Sequence, residues 1–415
     1  LRLQILSTYE EPCGIAGHTG HLRSALIRLG ADVSIYPIDR ARLAKQARVE
    51  LLPYFAGFID RLGEFDAFII QHEFGFFGGS YGVRHSNAVF ARLLRSLEQT
   101  GRPVLVIFHS MPVVPSTVAA IRSQPAGASL GAMALATVAA AGHRHSWRPV
   151  ASRIARARRM TAAVLADDLR RRLIDAGIPP AKLSVIRHGI GALRSNAAAG
   201  RPLAPDGRRP TIPLTIFGFI AGYKGYEIAL RALLELPSEF RLIIAGGPHP
   251  ANPGDGTLES ILSFLRTGFY PGGVLAPLPE KERRDAARRL AGRVEITGYL
   301  PAERVDQVLD DTAIVLAPYL EGGPAGSAAL AWALTSRRPI VASAIPGFRE
   351  INEEAPCLYL AAPQAPFALA RAIQTVAADP ALESRLVEAA ARYAASYGWD
   401  RTARAALDLL TSLAA

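Results

Sequence analysis

The stretch Gly218-Phe219-Ile220-Ala221-Gly222-Tyr223-Lys224-Gly225-Tyr226-Glu227 follows the apolar run 213–217 and precedes a helical period of Ile228, Leu230, Leu233 and Leu234. A strand breaks into a glycine-bearing turn, places one lysine at the tip and hands over to an amphipathic helix. That arrangement aims backbone N–H groups and a cation at one spot above the strand end, where a phosphate group fits. The lysine carries weight because the chain has only four, at 45, 182, 224 and 281, and takes the rest of its positive charge from arginine. Taken alone, the turn also fits a plain strand–helix connection with its lysine in solvent.

Working outward, short apolar runs alternate with helical periods. Strands are expected at 3–7, 32–36, 67–71, 104–109 and 162–166, separated by helical periods such as 19–29 and 87–98. A low-order stretch rich in Ala, Gly, Pro and Arg follows at 189–209. The alternation then restarts at 213–217, 241–245, 294–297, 313–318 and 339–342. Short buried strands separated by helices predict parallel sheets with right-handed crossovers. A chain of 415 residues suits two such domains of roughly 200 residues each. The expected fold class is therefore α/β, with two doubly wound domains joined near residue 200 and ligands beyond the carboxyl ends of the strands. The alanine-rich segment 126–148 reads as a helix that covers a site, without a fixed place in this scheme.

Composition narrows the partners. The net charge is +11 and the isoelectric point about 10.0, which invites a nucleic-acid reading. The basic residues are nevertheless scattered through helical segments, clustered at 153–159, 170–172 and 281–289 without interleaved aromatics for base stacking. No nucleic-acid partner is expected; a phosphorylated substrate or an anionic membrane surface accounts for the surplus as well. The first residues, Leu1-Arg2-Leu3-Gln4-Ile5-Leu6, read as a strand and not as a signal peptide, and no apolar run reaches the roughly 18 residues of a membrane span. Two distant cysteines, Cys13 and Cys357, fit a reduced, cytoplasmic protein without a disulfide. A monomer or homodimer is expected.

Several motifs together are more specific than any one. Gln71-His72-Glu73-Phe74-Gly75-Phe76-Phe77-Gly78-Gly79, Phe108-His109-Ser110-Met111-Pro112 and Arg187-His188-Gly189-Ile190 stand in the first half. The second half adds the lysine turn, Ile244-Ala245-Gly246-Gly247-Pro248-His249-Pro250, Leu316-Ala317-Pro318-Tyr319 and Arg338-Pro339-Ile340-Val341-Ala342-Ser343. In order and spacing, over nearly the full chain, these resemble bacterial retaining glycosyltransferases of the family 4 type (glycosyl transferases group 1). The resemblance implies the GT-B architecture, two Rossmann-like domains facing across a cleft. The corresponding division is 1–195 on the acceptor side, a linker 196–210, a donor-binding domain 211–393 and a helix 394–415 returning to the first domain. It also implies transfer of a sugar from a nucleotide sugar, UDP- or GDP-linked, to a sugar-containing or hydroxylated small acceptor. Retention of configuration, no cofactor and no catalytic metal are implied with it. The sequence has no Asp-x-Asp at a strand end and no His/Cys cluster with zinc spacing.

In the first domain, Cys13-Gly14-Ile15-Ala16-Gly17-His18-Thr19 follows the first strand and opens a helix. Small residues let a ligand approach the backbone, and the helix N-terminus favours negative charge. By resemblance this loop approaches donor and acceptor, with Gly17 on the donor side and His18 on the acceptor side. The same sequence also fits a tight strand–helix turn. His109 ends a buried strand; by resemblance it sits beside the transferred sugar, where an imidazole hydrogen-bonds a hydroxyl and stabilises developing charge. His72 and Glu73 are expected to meet the acceptor, although Glu73 equally suits a helix cap.

In the second domain the resemblance assigns Gly218 and Lys224 to the donor diphosphate, with Lys224 neutralising the leaving group. Relatives carry an arginine just after this strand, where the chain has Phe219. Gly326-Ser327 matches a small-residue turn that meets the phosphates. The family's ribose-binding glutamate falls on Trp332, and Glu321 lies eleven residues ahead of it, out of register. An indole cannot accept two hydroxyl protons. The ribose is then held differently, with Trp332 packing on it, or the donor is no ordinary nucleotide sugar, or the site has degenerated. Three functions follow: a retaining glycosyltransferase, a phosphorylase-like enzyme using a sugar phosphate, or a catalytically silent sugar- or nucleotide-binding protein.

Overall fold

The computed structural model describes residues 1–111, 142, 145–194, 211–250, 252, 254–321 and 326–414. The expected linker 196–210, most of the segment 126–148, the prolines after His109 and most of the loop before Ser327 lie outside these residues. The chain divides into two compact units, Leu1–Gly189 with Trp399–Ala415, and Ile190–Gly323 with Ser327–Gly398.

The first unit is built on β1 (Arg2–Ser7), β2 (Asp32–Pro37), β3 (Ala67–His72), β4 (Val104–Phe108), β5 (Met160–Val164) and β6 (Leu183–Val185), all parallel, in the order β2-β1-β3-β4-β5-β6. Every residue of β3 and β4 is buried, because helices cover both faces of the sheet. Side chains alternate between two cores with the strand period of two. Phe68, Ile70 and Phe108 face a core with Phe55, Phe58, Phe77, Phe90 and Trp147. Ile69 and Ile107 face the other, with Leu22, Leu26, Trp399, Ala403 and Leu410. The helix Gly14–Arg28 and the terminal helix Trp399–Ala414 pack together over this second face.

The second unit repeats the plan with β7 (Ile212–Phe217), β8 (Phe240–Ala245), β9 (Val294–Ile296), β10 (Ile314–Ala317), β11 (Ile340–Ser343) and β12 (Tyr359–Ala361), ordered β12-β11-β10-β7-β8-β9. Its strands are parallel too. Strand order reverses between β1 and β3 in the first unit and between β7 and β10 in the second. At such switch points the loops leave in opposite directions and open a crevice at the strand ends.

Two short strands, β6 and β12, were not expected. Three residues are too few to show a period. The fifth strand was expected at 162–166 and runs Met160–Val164, since Met160 and Thr161 pair with Val104 and Leu105 while Ala166 starts the next helix.

One glycine governs the turn after β7. Gly225 has φ +73°, and a Cβ there would run into the Pro318 carbonyl oxygen. Gly225→Ala is therefore expected to cost about 2–4 kcal/mol, read as a lower urea midpoint. Gly17→Ala is the control, since a Cβ at Gly17 meets open space inside a helix and is expected to gain up to about 1 kcal/mol.

Candidate functional site

At the switch point of the second unit, the chain leaves β7 through Gly218 (φ +93°), whose N–H donates to Ala245 O at 2.9 Å. Ile220 N–H then donates to Gly247 O at 2.8 Å, so the turn continues alongside the segment leaving β8. The approach is close enough that a Cβ on Gly246 would run into the Gly218 carbonyl oxygen. On the other side, Leu320 N–H donates to Tyr223 O at 2.7 Å and ties the turn to the segment leaving β10.

Lys224 is not at an exposed tip. It is 2% exposed, and its ammonium donates to the Phe217 carbonyl at 2.5 Å, beneath Gly218. Among the described residues no carboxylate pairs with it. Burial lowers its pKa to about 7. The neighbouring Glu227 is also buried, but it pairs with Arg231 at 2.8 Å and accepts from Val274 N–H at 2.8 Å. It fixes the 273–275 loop and leaves the lysine without a counter-charge.

The other expected donor residues surround this turn unevenly. Ser327 caps the short helix Ala328–Ala333, its hydroxyl accepting from Leu330 N–H at 3.1 Å and bonding Tyr319 Oη at 3.0 Å. Burial raises the Tyr319 phenol to about 12, so it stays neutral. Trp332 is half-buried, tilted against Phe217 with ring centroids 5.8 Å apart. Glu321 is exposed. Phe219 joins His249 at 4.9 Å and Tyr299 at 6.3 Å in a ring group at the ends of β7, β8 and β9. That group was not foreseen, because its members are separated by 30 and 50 residues and no short motif contains them.

The first unit gathers histidines at its switch point. Gln71, on the same sheet face as Ile69, reaches both His109 and His18. His109 Nε2 donates to Gln71 Oε1, and Gln71 Nε2 donates to His18 Nδ1 at 3.3 Å. His18 meets His109, His188 and Trp399 edge to face, with centroids 4.8, 5.1 and 5.0 Å apart. Burial lowers His109 to about 3, with His188 and His72 adding to the shift, and lowers His188 to about 4. Burial also holds His18 well below its ordinary value. All three imidazoles are neutral at pH 7. Gln71 and His188 stand inside the quoted motifs, yet linear spacing does not show that they meet His18 and His109.

His72 requires a correction. One residue after Gln71, it points to the opposite face of the sheet. It is fully buried among Phe77, Phe90, Phe108 and Trp147, and neither ring nitrogen has a hydrogen-bond partner among the described residues. It is a core aromatic ring and does not present itself to an acceptor. Glu73 is half-buried and accepts from the Ser110 hydroxyl; its pKa is raised by burial. It caps no helix with its side chain. Among the described residues no group of three or more His, Cys, Asp or Glu side chains could hold a metal ion. None of the described helices is long and apolar enough to cross a membrane.

Residues 214–379 match the family described as Glycosyl transferases group 1. A D-inositol 3-phosphate glycosyltransferase of Streptomyces avermitilis is 28% identical over 201 residues, which are 44% of this chain and 42% of that protein. The chain thus aligns with under half the length of that relative. The fold matches HepE of Anabaena in complex with UDP-glucose at a TM-score of 0.64 and 15% identity, over 99% of each chain. It matches sucrose-phosphate synthase of Thermosynechococcus elongatus at 0.67 and 17%, over 99% of this chain and 98% of that one. The fold is that of the GT-B glycosyltransferases, two parallel-sheet α/β units.

The enclosure of His72 has a measurable consequence. Burial lowers its pKa to about 3, against an ordinary value of 6.5. Between these values the unfolded chain binds the extra proton, so stability falls as pH drops from 6.5 toward 3, by up to about 1.4 kcal/mol per pH unit. His72→Phe is expected to keep or raise stability at pH 7 and to make the acid loss shallower by about 1 kcal/mol per unit between pH 4 and 6. Urea denaturation at several pH values measures both; an unchanged acid slope would remove His72 from the core.

Proposed function

We propose that this chain is a retaining, metal-independent glycosyltransferase of the family 4 type that moves a hexose from a nucleotide sugar to a small hydroxylated acceptor in the cytoplasm. The observation that carries the proposal is Lys224, a buried ammonium at the switch point of the second unit with only one carbonyl for a partner among the described residues. A cation held this way is poorly satisfied until an anion arrives. The leaving nucleoside diphosphate is such an anion, and its developing charge is the main electrostatic demand of transfer. A UDP-linked donor is favoured because HepE, of the same fold, binds UDP-glucose. Beside the turn, Phe219, His249 and Tyr299 offer aromatic faces to the nucleoside. In the first unit, the neutral His109 serves a sugar hydroxyl better than a charged imidazolium would, since a neutral imidazole keeps one lone pair that can accept the hydroxyl hydrogen. The scheme calls for no cofactor besides the donor.

A second function is favoured by one position. Trp332 packs on Phe217 where relatives hold a ribose-binding carboxylate, and Glu321 is exposed. An enzyme using a sugar phosphate needs no ribose contact. A thermal-shift panel separates the two: UDP and UDP-glucose stabilise the first, whereas glucose 1-phosphate alone stabilises the second.

Protonation of Lys224 gives a sharper test. Its pKa is about 7 in the free protein, and a neighbouring diphosphate raises it. Donor binding should therefore take up a proton above pH 7, approaching one per site near pH 8, and affinity should weaken as pH rises. Titration calorimetry in buffers of different ionisation enthalpy counts that proton. Lys224→Met should abolish the uptake and weaken donor binding by roughly 30-fold to 1,000-fold. Uptake that persists in the variant would assign the proton to another group.

A further inference from the structure

Gln71, the last residue but one of β3, points to the face that carries Ile69. It pairs with Ile107 in the register of the sheet, which brings it beside His109, the residue just beyond β4 on the same face. The main chain is locked there as well, since His109 N–H donates to His72 O at 3.0 Å. The Gln71 amide is thus held between two imidazoles, accepting from one and donating to the other.

An amide has chemically different ends, and this decides where each imidazole keeps its proton. Gln71 Oε1 can only accept, so His109 carries hydrogen on Nε2 and a lone pair on Nδ1. Gln71 Nε2 can only donate, so His18 keeps its lone pair on Nδ1 and carries hydrogen on Nε2. Both rings are neutral Nε2–H tautomers, and the hydrogen on His18 Nε2 has no hydrogen-bond partner among the described residues although the residue is 3% exposed. We propose that Gln71 is a positioning residue that fixes His109 as the Nε2–H tautomer, so that the atom His109 offers to a sugar hydroxyl is the acceptor Nδ1. This extends the transferase function proposed above, because it names the atom through which His109 would act.

Glutamine suits this task better than its near neighbours do. A glutamate could accept from His109 but could not donate to His18, and would place a charge between two neutral rings. A leucine would leave both imidazoles free to exchange tautomers, a share of the molecules then offering N–H at Nδ1 where a lone pair is needed.

The test separates the tautomer from the activity. Nitrogen-15 NMR of histidine-labelled wild-type protein reports the protonated ring nitrogen directly and needs no substrate. His109 and His18 are expected as Nε2–H tautomers, assigned by the single variants His109→Phe and His18→Phe. In Gln71→Leu both signals should move to the averaged shifts of exchanging tautomers. With a donor found by the thermal-shift panel, kcat should fall about tenfold or more while the donor KM changes less than threefold. A His109 signal with hydrogen on Nδ1 in the wild type would overturn the proposal even if Gln71→Leu fails to fold. So would an unchanged His109 tautomer in a folded Gln71→Leu. If the tautomers are as stated but no nucleotide sugar binds, the transferase function fails and the positioning by Gln71 stands.

Discussion

The second unit is organised around an ammonium that the fold buries and does not neutralise. Bringing Lys224 from a pKa of 10.5 to about 7 corresponds to a cost on the order of 5 kcal/mol for the charged form. Much of the local geometry makes that burial possible. Gly218 and Gly246 let two strand exits run side by side, Gly225 turns the chain under Pro318, and the Phe217 carbonyl takes one ammonium proton. Glu227, three residues on, would be a natural counter-ion, but Arg231 and the 274–275 backbone hold it elsewhere. Stability alone would have favoured an apolar residue at 224. The proposed function gives that cation a use, an anion that arrives with the donor.

The first unit uses a different electrostatic device. Its histidines are buried close together; burial discourages protonation of all of them, His109 and His188 add to the effect at His18, and His188 adds to it at His109. The result is a set of neutral rings with fixed hydrogens and no formal charge. The division suits the proposed chemistry: a departing diphosphate is served by a cation, whereas a sugar ring presents hydroxyls that need matched donors and acceptors. Gln71 links the two histidines because the β3–β4 register sets its amide beside His109 while the helix Gly14–Arg28 brings His18 to the other side.

Much of this was legible in the sequence. Strand and helix alternation is a repeated local signal, so ten of the twelve strands could be anticipated, and the two missed are three-residue strands at sheet edges. The turn at 218–225 was legible as a site because glycines and a rare lysine coincide there. The lysine's burial was not, because it depends on Phe217, Gly246 and Pro318, which only the folded sheet brings together. His72 shows the limit most plainly. It lies between Gln71 and Glu73 in one motif, and a linear motif does not tell which strand face each residue takes. One step along β3 separates a residue that reaches two histidines from one sealed in an aromatic core.

Trp332 fits the same logic. Its indole lies against Phe217, the residue whose carbonyl holds Lys224, so it braces the strand end that carries the buried cation. A carboxylate at 332 would lie beside that strand end and compete with an incoming phosphate for the lysine's charge. With tryptophan there, no carboxylate among the described residues pairs with the lysine, and under the proposed function the ring group of Phe219, His249 and Tyr299 supplies contact to a nucleoside. In the proposed function, packing takes the place of polar ribose recognition and the charge at 224 meets the phosphates.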